Sequence, residues 1–190
     1  MVEWSFCLAR LAEGDGSTLD FGADVAFLSL AAAQRGHHVV ALDRLPSALD
    51  YRHERVEFLQ ADILGRPLAD RTFDQIINCS SIEHVGLPGR YGSGEAVDGD
   101  LQAMAILGDM LAPQGRMILT LPVGRDLVCA PKHRIYGTGR LPRLLDGFRV
   151  DEEQYWRKDG VWVKTDRETA LGTEGSAWFY SLGLFVLAHS

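Results

Sequence analysis

The stretch LDFGADVAFLSLAAAQRGHHVVALD, residues 19–43, decides the fold of this 190-residue chain. An apolar run enters a turn at Gly22, and a strongly apolar segment follows in which Asp24 is placed to cap a helix. Gly36 has the backbone freedom that commonly ends a helix. The next apolar run ends on Asp43. The stretch therefore predicts a strand, a helix and a second strand in succession.

Strand and helix patterns continue to alternate downstream. The segment at residues 73–79 has an apolar middle, Ile76-Ile77, as expected of a strand covered on both faces. Apolar residues recur at helical spacing over residues 100–111, and Pro113 is expected to end that helix before a strand at residues 116–121. Each helix can therefore return the chain to a parallel neighbouring strand.

The end of the chain changes pattern. Asp159-Gly160 is a hairpin turn signal, and residues 177–187 form a last apolar strand. Together these patterns predict an α/β, Rossmann-like fold with a mostly parallel seven-stranded sheet and one antiparallel strand near the C-terminus. We expect a single domain over residues 1–190, because that length suits one hydrophobic core.

The composition limits the partners that the chain is expected to bind. The net charge of −7 disfavours nucleic acid, since no basic excess offsets phosphate repulsion. No run approaches the roughly 18 apolar residues of a membrane span, and residues 1–11 lack the pattern of a signal peptide. Cys7, Cys79 and Cys129 show neither CxxC pairing nor zinc spacing. We expect reduced thiols in the cytoplasm, with no membrane, nucleic-acid or metal partner.

Candidate ligand-binding residues follow the ends of successive strands. In open α/β sheets, ligands bind beyond the carboxyl ends of the strands, and an acidic residue at such an end can accept hydrogen bonds from ribose hydroxyls. Each residue taken alone also fits a helix cap or a solvated turn, so the prediction rests on the set. The set is Asp20, Gly22, Ala23, Asp43, Arg44, Asp62, Ile63 and Ser80.

These residues resemble a known family. Leu19-Asp20-Phe21-Gly22 resembles motif I of class I S-adenosylmethionine-dependent methyltransferases, Val40-Ala41-Leu42-Asp43 resembles motif II, and Gln60-Ala61-Asp62-Ile63 resembles the adenine motif. The likeness runs in the right order over residues 18–148. It extends to a subgroup of small bacterial methyltransferase-like proteins through Glu83-His84-Val85-Gly86-Leu87. The resemblance implies S-adenosylmethionine as the cofactor.

Motif I departs from the family pattern. The usual form is Gly-x-Gly-x-Gly, whereas this chain has Gly22-Ala23-Asp24-Val25-Ala26. The carboxylate of Asp24 is expected near the methionine end of the cofactor. The alternative function is therefore a catalytically inactive binding or partner protein that keeps the fold. A nicotinamide dehydrogenase ranks below both, because its Gly-x-Gly-x-x-Gly pattern is also missing.

The second half of the chain supplies candidates for catalysis. His84 is the first candidate base and His133 the second, because imidazole accepts protons near neutral pH, and Glu83 is placed to orient a partner or bind a hydroxyl. Each histidine is equally compatible with a packing or loop-capping role. The resemblance implies a small-molecule acceptor, with O-methylation of a sugar or secondary-metabolite hydroxyl preferred. The candidate substrate contacts are Arg90, Tyr91, Arg134 and Tyr136. A homo-oligomer is allowed but not required by these residues.

Overall fold

The computed structural model describes residues 2–46, 52–88 and 95–190. The strands are β1 (Ser17–Phe21), β2 (His38–Asp43), β3 (Val56–Gln60), β4 (Phe73–Cys79), β5 (Leu111–Val123), β6 (Leu127–Cys129), β7 (His133–Ile135), β8 (Phe148–Asp159), β9 (Val161–Thr165) and β10 (Ser181–His189). The helices are α1 (Val2–Leu8), α2 (Phe27–Gln34), α3 (Gly99–Asp109), α4 (Arg140–Leu144) and α5 (Arg167–Leu171), with 3-10 turns at Ile63–Gly65 and Ile82–His84.

Eight of the strands form one sheet in the order β3-β2-β1-β4-β5-β10-β8-β9. The first five run parallel, and β10 runs antiparallel to both β5 and β8. This confirms the predicted α/β fold with its reversed C-terminal strand. The count is eight rather than seven because β9 returns from the turn at Gly160, whose φ is 65°, and extends the sheet as a hairpin with β8.

Both faces of the sheet are covered, which explains the apolar central strands. Side chains alternate between faces along a strand, so Ile76 and Ile77 of β4 enter different hydrophobic clusters. The cluster with Ile77 includes side chains of α1 and α2. The cluster with Ile76 includes side chains of α3, α4 and α5. Among the described residues, no helix is long and apolar enough to cross a membrane.

Two predicted boundaries were wrong. Asp24 does not cap α2, which begins at Phe27 after Ala26 and has no side-chain cap. Pro113 does not end the preceding helix either, because α3 stops at Asp109 and β5 already begins at Leu111. The cause is tertiary pairing: the first residue of β4 pairs with Leu111 across a local register shift.

Candidate functional site

A cavity of about 460 Å³ opens at the carboxyl ends of β1, β2 and β4. All eight residues predicted at the strand ends line it: Asp20, Gly22, Ala23, Asp43, Arg44, Asp62, Ile63 and Ser80. Trp4 of α1 and Phe27 of α2 also line it, and their rings stack with centroids 4.8 Å apart. The volume lies within the roughly 300–1,000 Å³ of small-molecule sites.

The turn between β1 and α2 keeps a glycine-like backbone although two of the three glycines of the usual motif I are replaced by other residues. The φ angles are 74° at Gly22, 45° at Asp24 and 54° at Ala26, so all three alternating positions are left-handed. The N–H of Gly22 donates to the carbonyl of Leu42 at 2.8 Å. A β-carbon at Gly22 would lie 2.2 Å from Ser81 Oγ. Glycine is therefore required at this position by both conformation and space.

The Asp43 carboxylate closes the same turn. Its Oδ2 accepts from the N–H of Asp24 at 3.0 Å, and its Oδ1 accepts from the N–H of Leu45 at 2.8 Å. A carboxylate oxygen has two acceptor positions. Each oxygen of Asp43 therefore keeps capacity for a hydroxyl donor in the cavity.

Asp20 is a buried acid at the floor of the cavity. Its side chain accepts a hydrogen bond from Ser29 Oγ at 2.6 Å. Burial raises the pKa of Asp20 to about 6, against the lowering effect of that hydrogen bond. The folded protein thus holds a carboxylate whose ionised form is costly, which is common at functional sites.

Asp62 and Arg44 form the rim beyond β2 and β3. Asp62 Oδ1 accepts from the N–H of Leu64 at 3.0 Å and starts the 3-10 turn, while its Oδ2 pairs with Arg44 Nη1 at 2.9 Å. Ile63 is buried and presents an apolar surface to the cavity. The rim thus combines a polar edge with an apolar face.

His84 lines the opposite wall of the cavity. Its Nδ1 lies at hydrogen-bond distance from the carbonyl of Lys132. Because a carbonyl can only accept, Nδ1 carries the proton and Nε2 is the basic nitrogen of the neutral ring. Nε2 lies 3.8 Å from Oε1 of Glu83. This arrangement presents a proton acceptor in a fixed tautomer.

Glu83 and His133 stand behind His84 and do not line the cavity. Glu83 is buried, and its Oε2 has no hydrogen-bond partner within the described part of the chain. Burial raises the pKa of Glu83 well above its ordinary value. The ring of His133 packs edge-on against those of His84 and Tyr180, with centroids 6.3 Å and 5.2 Å away. Both residues can thus influence the cavity through His84.

Arg134 and Tyr136, predicted as substrate contacts, are buried in an internal network. Arg134 Nη1 donates to the carbonyl of Val85 at 2.6 Å, and Tyr136 donates to Asp100 Oδ2 at 3.0 Å. Neither lines the cavity, so their assignment as direct contacts is corrected to one of support. The physical reason is that Arg134 and Arg140 neutralise the fully buried Asp100. Arg90 and Tyr91 lie outside the described residues.

Two residues of α1 were missed at the sequence level. Glu3 accepts hydrogen bonds from Ser80 Oγ and, at 2.8 Å, from Thr120 Oγ1, and Trp4 stands over the cavity. The acidic side chain within the apolar segment 1–11 is the sequence signal that marks them, but no local pattern predicts that this segment packs against β4. Among residues 2–46, 52–88 and 95–190, no three His, Cys, Asp or Glu side chains form a metal cluster.

Known proteins share this architecture. A family model described as "Caenorhabditis protein of unknown function, DUF268" matches residues 27–156. No curated protein matches the chain. The N-methyltransferase NodS from Bradyrhizobium japonicum, solved with S-adenosylhomocysteine, aligns with a TM-score of 0.68 at 17% identity over 99% of this chain and 85% of its own.

Two further solved structures are similar. The 1,6-didemethyltoxoflavin-N1-methyltransferase from Burkholderia thailandensis, with 1,6-didemethyltoxoflavin and S-adenosylhomocysteine bound, has a TM-score of 0.64 at 17% identity over 98% of this chain and 76% of its own. A TehB-like S-adenosylmethionine-dependent methyltransferase from Corynebacterium glutamicum has a TM-score of 0.61 at 16% identity over 97% and 85%. The fold is therefore the class I methyltransferase fold, as the sequence resemblance predicts.

Proposed function

Given that this chain belongs to the DUF268 family, we propose that it is an S-adenosylmethionine-dependent methyltransferase that acts on a hydroxyl group of a small molecule. The observation that carries the proposal is the cavity at the carboxyl ends of β1, β2 and β4, which Asp43 enters from the end of β2. In this fold class that edge of the sheet is where ligands bind. The similar proteins NodS and the toxoflavin methyltransferase hold S-adenosylhomocysteine.

The residues of the cavity fit the cofactor. The remaining acceptor capacity of Asp43 suits the two ribose hydroxyls, and Asp62 with Ile63 offers a polar edge and an apolar face to an adenine ring. Gly22 keeps the wall free of a side chain between β1 and Ser81. When bound, S-adenosylmethionine supplies an electrophilic methyl group, and the protein contributes alignment and proton removal.

His84 is the proposed general base. The His84 ring lines the cavity, and Nε2 is the basic nitrogen of the neutral ring. It can take the proton that an acceptor hydroxyl loses as its oxygen bonds to the methyl carbon and the bond from that carbon to sulfur breaks. Glu83 lies beside it, where its carboxyl group can stabilise the protonated ring, and His133 is the second candidate base. Arg90 and Tyr91 remain proposed substrate contacts. A neutral amine attacks without prior proton loss, so a base at this wall favours a hydroxyl acceptor, such as that of a sugar or secondary metabolite.

The altered turn favours a second candidate function. Asp24 and Ala26 occupy positions where class I methyltransferases usually have glycine. The chain can therefore also be a binding or partner protein that keeps the fold without transferring methyl groups. The two functions differ in what they require of the cavity. An enzyme must bind cofactor and turn over, whereas an inactive protein needs neither.

Calorimetry with S-adenosylmethionine and S-adenosylhomocysteine tests the proposal. We expect both to bind the wild-type protein, and Asp43→Ala to weaken binding at least tenfold through the lost ribose contacts. Asp70→Ala, an exposed carboxylate before the amino end of β4, serves as the matched control and should leave affinity unchanged. Failure of the wild-type protein to bind either compound at millimolar concentration would reject the enzyme proposal.

A second measurement tests the base. Formation of S-adenosylhomocysteine is followed with a panel of hydroxylated small molecules, for the wild-type protein and for His84→Ala. We expect His84→Ala to keep cofactor affinity within about twofold and to lose most of its turnover, since general bases contribute roughly 10²- to 10⁴-fold. Equal turnover by the variant would remove His84 from the base role. Cofactor binding without turnover on any acceptor would support the inactive protein.

A further inference from the structure

Asp24 brings an uncompensated negative charge to the cavity. Its backbone is left-handed and is fixed by the hydrogen bond from its N–H to Asp43. The Asp24 residue lines the cavity, and within the described part of the chain its carboxylate makes no hydrogen bond and no ion pair. A carboxylate at this position therefore acts on whatever occupies the cavity rather than on the fold.

The other charges that line the cavity do not offset Asp24. The described lining residues include four carboxylates, of Asp20, Asp24, Asp43 and Asp62, and one guanidinium, of Arg44. That guanidinium is paired with Asp62 at 2.9 Å. Asp20 is buried at the floor of the cavity, so solvent screens its ionised form poorly. The cavity thus has an excess of negative charge toward the β1–α2 turn, and this excess favours a ligand of positive charge.

From this charge distribution we infer that the cavity discriminates by ligand charge, binding the sulfonium form of the cofactor more tightly than its thioether product, and that Asp24 is the residue that determines this preference. The inference rests on the proposed function. At neutral pH, S-adenosylmethionine carries a sulfonium, an ammonium and a carboxylate, and its net charge is positive. S-adenosylhomocysteine lacks the sulfonium charge and is neutral overall. The two ligands differ by one methyl group and one charge.

The size of the preference follows from Coulomb's law. If the carboxylate and the sulfonium of a bound ligand were about 7 Å apart in an effective dielectric constant of about 40, one uncompensated carboxylate would change the affinity ratio of the two ligands by roughly five- to tenfold. Salt screens exposed charges, so the preference should shrink as ionic strength rises. The consequence for a catalyst is weak inhibition by its own product. The departure from Gly-x-Gly-x-Gly would then be a specificity device and not a loss of function.

The test compares dissociation constants for the two ligands by calorimetry at low and high salt. We expect the wild-type protein to prefer S-adenosylmethionine by at least about five- to tenfold. Asp24→Asn, which keeps the shape and tolerates the left-handed backbone, should lower the ratio by about five- to tenfold by weakening binding of S-adenosylmethionine only. Asp70→Asn removes the same charge at the opposite edge of the sheet and should leave the ratio unchanged.

Asp24→Gly provides a second variant in case the amide disturbs the turn. It restores the glycine of the usual motif I, removes the strain of a non-glycine residue at a φ of 45°, and should lower the ratio by a similar factor. An unchanged ratio in both variants, or a wild-type protein that binds the product as tightly as S-adenosylmethionine, would overturn the inference while leaving the proposed function intact. If neither ligand binds the wild-type protein, the proposed function fails, and the inference fails with it.

Discussion

The two halves of the carboxyl edge use their carboxylates in opposite ways. Around β1 and β2, Asp24 and Asp43 line a cavity, and the Asp43 carboxylate accepts a hydrogen bond from the backbone N–H of Asp24. Around α3, Asp100 is fully buried and is matched by Arg134 and Arg140. The first, which we call the open half, leaves acceptor capacity and charge for a ligand. In the second, which we call the closed half, the charge is neutralised within the fold.

This difference identifies the carboxylates that remain available to a ligand. A buried carboxylate that is fully paired stabilises one arrangement of its neighbours and has nothing left to offer a ligand. Arg134 in addition binds the carbonyls of Val85 and Val97, so the network joins the segment after β4 to the start of α3. The position of His84 between the two halves follows from that anchoring, because it lies in the 3-10 turn just before Val85.

The largest effect is expected in the closed half. Asp100→Ala leaves the buried guanidinium of Arg134 without a counter-ion and should lower the free energy of unfolding by about 3–5 kcal/mol. Chemical denaturation measures this change. The control is Asp98→Ala, a partly exposed partner of Arg140 that should cost less than about 1 kcal/mol. Similar costs for the two variants would contradict the distinction between a buried network and a surface pair.

The open half is tested next through the pH dependence of Asp20. Its folded pKa of about 6 exceeds its usual 3.8, so its contribution to stability is fully present below pH 3.8 and is lost as pH rises through 6. The shift corresponds to about 3 kcal/mol. As the pH rises from 4 to 7, the free energy of unfolding of Asp20→Asn should increase relative to that of the wild-type protein by about 3 kcal/mol. Denaturation at each pH measures this difference. A difference that stays constant with pH would show that Asp20 is not strained by burial.

A smaller effect is expected from Gly22. Gly22→Ala places a methyl group 2.2 Å from Ser81 Oγ on a left-handed backbone. The collision and the backbone strain together should lower the free energy of unfolding by about 2–3 kcal/mol. Gly160→Ala is the matched control, because its φ of 65° is similar and nothing lies within 4 Å of its β-carbon. Thermal or chemical unfolding of both variants separates backbone strain from collision. Equal losses would mean that Ser81 moves freely.

The smallest effect concerns the turn that departs from the family motif. Asp24→Gly should raise the free energy of unfolding by about 0.5–1 kcal/mol, because a non-glycine residue with a φ of 45° is strained. Asp24→Ala keeps the strain and should not stabilise the protein. Denaturation curves for the two variants check this. A destabilised Asp24→Gly protein would show that the Asp24 side chain supports the fold, although its carboxylate makes no hydrogen bond or ion pair within the described part of the chain.

The sequence predicted the open half better than the closed half. Asp20, Gly22, Asp43 and Asp62 follow strands that their own apolar runs identify, and parallel strands bring their carboxyl ends to one edge. Arg134 and Tyr136 were misassigned because their partner Asp100 is 34 and 36 residues away, and no local pattern reports a distant counter-ion. Glu3 and Trp4 were missed for the same reason.

The sequence by itself determined the alternation of strands and helices, the reversed last strand and the residues at the strand ends, because side-chain periodicity and turn chemistry are local properties. Only the tertiary structure decided which polar groups remain available to a ligand. It pairs Asp100 internally, leaves Asp24 facing the cavity and fixes the proton of His84 through a carbonyl 48 residues away. Whether a charge is available depends on its neighbours in space, and those neighbours are set by packing.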